Sequence, residues 1–213
     1  MSDSLVRWGA LASLGVYHGI NPGMGWLFAV ALGMQERSGR AVLRALPPIA
    51  LGHAASVGLV VALLFAGQKS VPGGALRWLL GLLLIAVGIY KLVRPRHPRW
   101  VGMRVGFVDL TLWSFLMASA HGAGLMLVPV FLLTEAPCHG EACHAAMGLV
   151  AAGWPSYLAA VVVHTGAMLS ATAAVALAVY HRFGLAVLQR GWLNLDHIWA
   201  GAMVLSGVLA IVL

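Results

Sequence analysis

The stretch VYHGINPGMGW, residues 16–26, lies inside a run that carries no charge from Trp8 to Gln35. The run is long enough to cross a bilayer, which takes about 20 mainly apolar residues. Its centre nevertheless holds a titratable ring, His18, an amide, Asn21, and Pro22 among three glycines. Proline removes a backbone donor and clashes with the preceding turn. The spacing therefore predicts a membrane helix broken near Asn21-Pro22, with Gly19 and Gly23 easing the irregular backbone. Backbone groups freed inside a membrane must face protein or a wet cavity, not lipid. His18 and Asn21 are expected to face the same cavity.

The rest of the chain has the same character. Hydrophobic residues make up 61% of the 213 and charged residues 9%, against about 25% charged in a soluble domain, and the mean hydropathy is +0.92. The fold class expected is an all-α integral membrane protein with six transmembrane helices, at 8–34, 46–66, 76–92, 108–134, 156–180 and 195–213. The whole chain, 1–213, reads as one transmembrane domain, with 144–153 as an interfacial or re-entrant piece set off by Gly153, Trp154 and Pro155. No cleavable signal peptide is read, because the apolar run after Arg7 continues to Met34.

Ten basic residues (Arg37, Arg40, Arg44, Lys91, Arg94, Arg96, Arg99, Arg104, Arg182, Arg190) fall on one side of this arrangement and three (Arg7, Lys69, Arg77) on the other. The positive-inside rule then puts the first, third and fifth loops in the cytoplasm and both termini outside, in a bacterial inner membrane. That bias and anionic lipid account for the +7 net charge. The basic residues sit in short connections rather than on one helical face, so no nucleic acid is expected as a partner.

ASAHGAGLMLVPV, residues 118–130, repeats the features of the opening stretch: His-Gly, then a Met and a Pro close behind. Likewise ALGHAASV (50–57) is echoed by VVVHTGAM (161–168), and LLGLLLIAVG (79–88) more loosely by WAGAMVLSGV (199–208). Residues 8–92 and 108–213 thus read as two copies of a three-span unit. An odd number of spans makes the second copy enter from the opposite side. Inverted repeats with broken helices mark secondary transporters, whose sites lie near the midplane at the repeat interface. The second break is expected in the fourth span around Gly122 and Pro129.

Four histidines fall within spans: His18, His53, His121 and His164. A single one reads most simply as a neutral ring bonding between helices. Four at matching places in two repeats point instead to a shared pathway, since imidazole is a ligand for zinc, nickel or copper and also a proton carrier. Met24, Met126 and Met168 follow histidines by a few residues and would suit a soft cation, although Met is also a common filler of apolar cores. In the outer loop EAPCHGEACHAAM (135–147), Cys138, His139, Glu141, Cys143 and His144 form the densest cluster of ligand atoms. A disulfide between the only two cysteines, on the oxidising side, is the first reading. A metal cluster is the second and a redox-active pair the third. Asp109 and Asp196 read as helix-start carboxylates, and Trp192 and Trp199 as interfacial anchors. No nucleotide-binding loop, H-E-x-x-H or G-x-S-x-G pattern is present, so no enzyme is expected.

Six short spans, a 3+3 repeat and a Pro-Gly break early in span 1 resemble the lysine-exporter superfamily, which includes amino-acid exporters and nickel/cobalt and cadmium transporters. NPGMG (21–25) looks like the Pro-Gly motif of the amino-acid exporters, with Met24 where their second proline would stand. The His of YHGINPG is similar in placement to the first-span His of the nickel/cobalt branch. The Asp-His pair which that branch carries nearby is absent from span 1, and Asp196-His197 lies in another span. Small bacterial proteins with a very similar stretch are often labelled arginine/ornithine antiporters, a name that implies twelve spans, more than this chain can hold.

The sequence thus predicts a small transporter that moves a transition-metal cation past His18, Asn21, His53, His121 and His164. The alternatives are an exporter of a small cationic or zwitterionic solute such as an amino acid, with the histidines relaying protons, and a membrane redox or metal-assembly factor or accessory subunit. The expected partners are the lipid bilayer, the ion or solute, and either a second copy of the chain or a larger membrane complex.

Overall fold

The computed structural model describes residues 2–70, 73–93, 106–132, 153–182 and 195–212, and every regular element among them is helical. Helix α1 spans Ser2–Ile20; a single 3-10 turn, Pro22–Met24, leads into α2, Trp26–Gln35. A short α3, Gly39–Arg44, capped by the Ser38 hydroxyl, runs almost directly into α4, Leu46–Ser70. Pro47 and Pro48 sit in the first turn of α4, where a missing amide costs nothing. Helix α5 is Gly73–Val93. Helix α6, Phe107–Ala120, is followed by a 3-10 turn, Leu125–Leu127, and α7, Val128–Leu132. The long α8, Trp154–Arg182, and α9, Leu195–Val212, complete the chain.

Gly39–Gly67 and Trp154–Arg182, 29 residues each, are long and apolar enough to cross a membrane. Each would reach about 43 Å at the helical rise. Phe107–Ala120 and Leu125–Phe131, bent by 47°, make a third such span when taken together, and Trp26–Gln35, Trp78–Val93 and Ile198–Val212 are shorter apolar helices. The surface is that of a protein sitting in lipid. Leu51, Leu59, Leu63, Leu79, Leu82, Val162 and Leu205 point outward, while His18, Asn21, His53, His121, His164 and Thr172 are buried. A water-soluble fold would reverse that arrangement.

The helices associate in three pairs: α1 against α8, α4 against α6, and α5 against α9. Contacts of α4 and α2 with α8 join the first two pairs into a four-helix body. Small residues bring the partners together. A Cβ on Gly15 would collide with the His164 carbonyl, one on Gly19 with the Met168 carbonyl, and one on Gly52 with the Thr111 carbonyl. In a membrane, where lipid is as apolar as leucine, such close backbone approach supplies much of the association energy. At the start of α6, the Asp109 carboxylate accepts a hydrogen bond from the Gly106 amide at 2.9 Å, the helix-start role read from its position.

Candidate functional site

The break after α1 is built from its own sequence. The residue before a proline is pushed out of the helical region, and Asn21 adopts φ −66°, ψ 125°. Its side-chain oxygen accepts from the Gly23 amide at 2.8 Å. Gly25 takes φ 111°, open to glycine and strained for other residues, and redirects the chain into α2. The Trp26 indole N–H donates to the Ile20 carbonyl at 2.9 Å, satisfying an acceptor that the end of α1 leaves open.

A second break follows α6. His121 ends that helix, Gly122 has φ 66°, and the 3-10 turn Leu125–Leu127 precedes α7. Pro129 is not the break. It sits in the first turn of α7, where proline is tolerated, and Gly122 supplies the turn. Gly19 likewise does not loosen the chain: it lies inside α1, pressed against α8, and its carbonyl accepts from the Thr172 hydroxyl at 3.2 Å.

Three of the four histidines form one cluster. Ring centres lie 5.0 Å apart for His18 and His164, 5.4 Å for His53 and His164, and 5.7 Å for His18 and His53. None is more than 1% exposed. His18 faces the Leu14 carbonyl through Nδ1 at 2.7 Å, and His164 faces the Leu11 carbonyl through Nδ1 at 3.2 Å. A carbonyl can only accept, so each Nδ1 carries a proton, and in the neutral ring each Nε2 keeps its lone pair. Both Nε2 atoms are buried without a hydrogen-bond partner, as are both ring nitrogens of His53. A backbone-fixed Nδ1–H beside a bare Nε2 is the arrangement found in histidines that bind metals. The His53 and His164 planes lie within 18° of parallel. Among the described residues, no three His, Cys, Asp or Glu side chains are placed as they stand to hold a metal ion.

His121 repeats the local bond, its Nδ1 donating to the Met117 carbonyl at 2.8 Å. Its ring lies beside the first break, with Cε1 3.3 Å from the point where a Gly23 Cβ would stand; that point is also 3.3 Å from the Asn21 side-chain oxygen. The Asn21 amide nitrogen and the Thr165 hydroxyl are buried and unpartnered. Ser56 and Ser119 share a hydrogen bond of 2.8 Å between α4 and α6. Met24, Met126 and Met168 are all buried, Met168 packing with Trp26 and Ile49 and Met126 with Leu84 and Met203.

Trp199 is a correction to the sequence reading. It is not an interfacial anchor but a core residue, 3% exposed. Its indole stacks on Tyr17 at 4.4 Å and meets His18 edge to face at 4.6 Å and His121 at 5.7 Å. Trp and Tyr suit a membrane interface and a buried aromatic stack equally well, so position in the sequence did not separate the two. Cys138, His139, Glu141, Cys143 and His144 lie outside the described residues, as do the 144–152 piece and Trp192. No family model, curated protein or solved structure matches the chain.

Proposed function

We propose that the protein is a six-span membrane transporter for a transition-metal cation, with His18, His53 and His164 as its central station and His121 and Asn21 on the same pathway. The observation that carries this reading is the three-histidine cluster. Three imidazoles on one zinc ion, bonded at about 2.0–2.1 Å, hold their ring centres roughly 5 Å apart, and these rings lie 5.0–5.7 Å apart. His18 and His164 are held by backbone bonds with Nε2 bare. His53 has no bond to hold it, and rotation about its broad χ2 torsion is the adjustment that completes a site. Burying this many unpaired nitrogens costs stability, which a site that fills with a ligand repays in function. Zinc, nickel and copper all accept imidazole.

Two regularities support the 3+3 inverted repeat behind this reading. Each half contains a helix, a 3-10 turn and a second helix, with a histidine in the last turn before the break. A two-fold axis relating spans 1–3 to spans 4–6 turns the α1–α8 pair into the α6–α4 pair and the α5–α9 pair into itself, and those are the three pairs present. The resemblance to the lysine-exporter superfamily and its nickel/cobalt branch agrees with such an architecture, as do the inner-membrane location and external termini read from the basic residues.

Elemental analysis of detergent-purified protein, beside metal uptake into proteoliposomes, tests the reading. Bound transition metal in the wild type, lost in His18→Ala, His53→Ala and His164→Ala, is the expected result. A metal-free wild type without metal flux, but with proton-coupled efflux of an amino acid, would transfer the same histidines to the alternative, a proton relay for a small solute.

A further inference from the structure

The histidine cluster belongs to the four-helix body, but one wall of it does not. Trp199 comes from α9, which packs mainly against α5. The α5–α9 pairing is the most extensive between any two helices among the described residues. It is built on glycines, with a Cβ on Gly207 standing 2.7 Å from the Gly81 carbonyl and one on Gly88 3.0 Å from the Ala200 carbonyl. The links from this pair to the body are few by comparison. They run through α4, α7 and the turn at Leu125–Leu127, and through three places: Leu84, Met126, Trp199 and Met203, with Tyr17 at the edge, Val128 with Ala210, and Leu76 in the cluster of Val61 and Leu64.

We propose that Trp199 is the gate residue of the histidine chamber, and that α5 and α9 move as one arm that seats or withdraws it. Trp199 contacts His18, His121 and Tyr17 at once. It is thus the apolar cover that meets both the central cluster and the histidine at the second break. An indole seated there keeps water and ions off that face of the His18 ring. Its withdrawal joins the chamber to the His121 side. Packed interfaces that move tend to do so as bodies, because tight internal packing resists deformation while sparse contacts between bodies yield. The tight α5–α9 seam and the sparse arm-to-body contacts meet that condition. Met203, one turn on from Trp199, rests against Gly122, so the arm also bears on the backbone of the second break.

The inference rests on the transporter reading for its purpose but not for its test, which needs no metal. Diethyl pyrocarbonate carbethoxylates accessible, unprotonated imidazole nitrogen, and peptide mass spectrometry reads the rate at each histidine in the metal-stripped, detergent-purified protein. Trp199→Ala should speed labelling of His18, His53 and His164 by roughly tenfold or more, as removal of a local barrier to opening does, while exposed His181 keeps its rate. Trp199→Phe should stay near the wild type and Trp199→Leu should fall between. The ordering Phe, Leu, Ala remains readable even if the alanine variant does not fold, since the leucine and phenylalanine variants keep an apolar side chain in place. Equal labelling of the three histidines in all variants, or acceleration at His181 to the same degree, would overturn the gate. A wild type that binds no metal, combined with size-graded labelling, would overturn the substrate and leave the gate standing.

Discussion

His18 and His121, 103 residues apart in sequence, make the same hydrogen bond: each Nδ1 donates to the carbonyl four residues back, Leu14 at 2.7 Å and Met117 at 2.8 Å. Each then precedes a break in its helix. The bond fixes both ring orientation and tautomer, so the two functions of the ring can be separated. Asparagine places its amide nitrogen where Nδ1 stands and has nothing at Nε2. We predict that His18→Asn keeps the thermal stability of the wild type within the roughly 1 kcal/mol of one hydrogen bond, yet loses ion binding. His18→Ala should lose both. Melting in detergent and a metal-binding isotherm on the same samples decide it, and full ion binding by His18→Asn would remove His18 from the site.

The cluster distances depend on how closely α1 meets α8. A Cβ on Gly15 would strike the His164 carbonyl and stand 2.9 Å from the Ala167 Cβ, whereas one on Gly9 would meet nothing within 4 Å. Gly15→Ala must push the helices apart, at a cost of about 1–3 kcal/mol for overpacking, and should widen the His18–His164 separation. Gly9→Ala, on the same helix, should leave stability unchanged or raise it by up to about 1 kcal/mol, the helix preference of alanine over glycine. Paired thermal melts check the contrast. Equal stability of the two variants would mean that α1 and α8 are not in close contact.

The first break should also respond to single changes. Pro22→Ala frees Asn21 to return to the helical region, removing the reason for the turn. We expect the variant to fold with α1 and α2 joined and with transport strongly reduced. Gly25→Ala acts differently. It keeps the break but strains a residue at φ 111° and crowds Ile49, 3.0 Å from the new Cβ, at a cost of about 1–3 kcal/mol. Backbone amide exchange at residues 19–26 separates the two: slower in Pro22→Ala, faster in Gly25→Ala. Unchanged exchange in both would show that the break does not depend on these residues.

Much of this was legible in the sequence, and the exceptions have physical causes. The histidines stood out because polar rings are rare in apolar runs and must be buried somewhere. The break at Asn21–Gly25 follows from local rules alone, since proline and glycine act on their own backbone. Pro129 misled because its effect depends on how far it lies from a helix start, which Gly122 determines. Gly19 reads as a loosening residue along the chain and becomes a packing residue only once Met168 is beside it. Trp199 was beyond sequence reasoning, since its stack on Tyr17 joins residues 182 positions apart by contact between α9 and α1.

His53 provides the sharpest separation of stability from function. It is 1% exposed, and neither ring nitrogen has a hydrogen-bond partner. His18 and His164 each keep one backbone bond, so removing either ring removes an interaction. Removing the His53 ring removes no hydrogen bond. A buried polar atom left unpaired costs about 1–3 kcal/mol relative to an apolar group of similar shape. His53→Leu should therefore melt higher than the wild type in metal-free buffer, with a gain on the order of 1 kcal/mol after allowance for imperfect packing. The same variant should lose ion binding, because it takes away the one ring free to turn toward the other two. Adding metal should raise the melting temperature of the wild type, by linkage, and leave that of His53→Leu unmoved. The two curves would then approach or cross as metal is titrated. A His53→Leu protein that melts lower than the wild type without metal would mean that His53 is held by a bond or an ordered water in the resting protein, and its role as the adjustable ligand would fall.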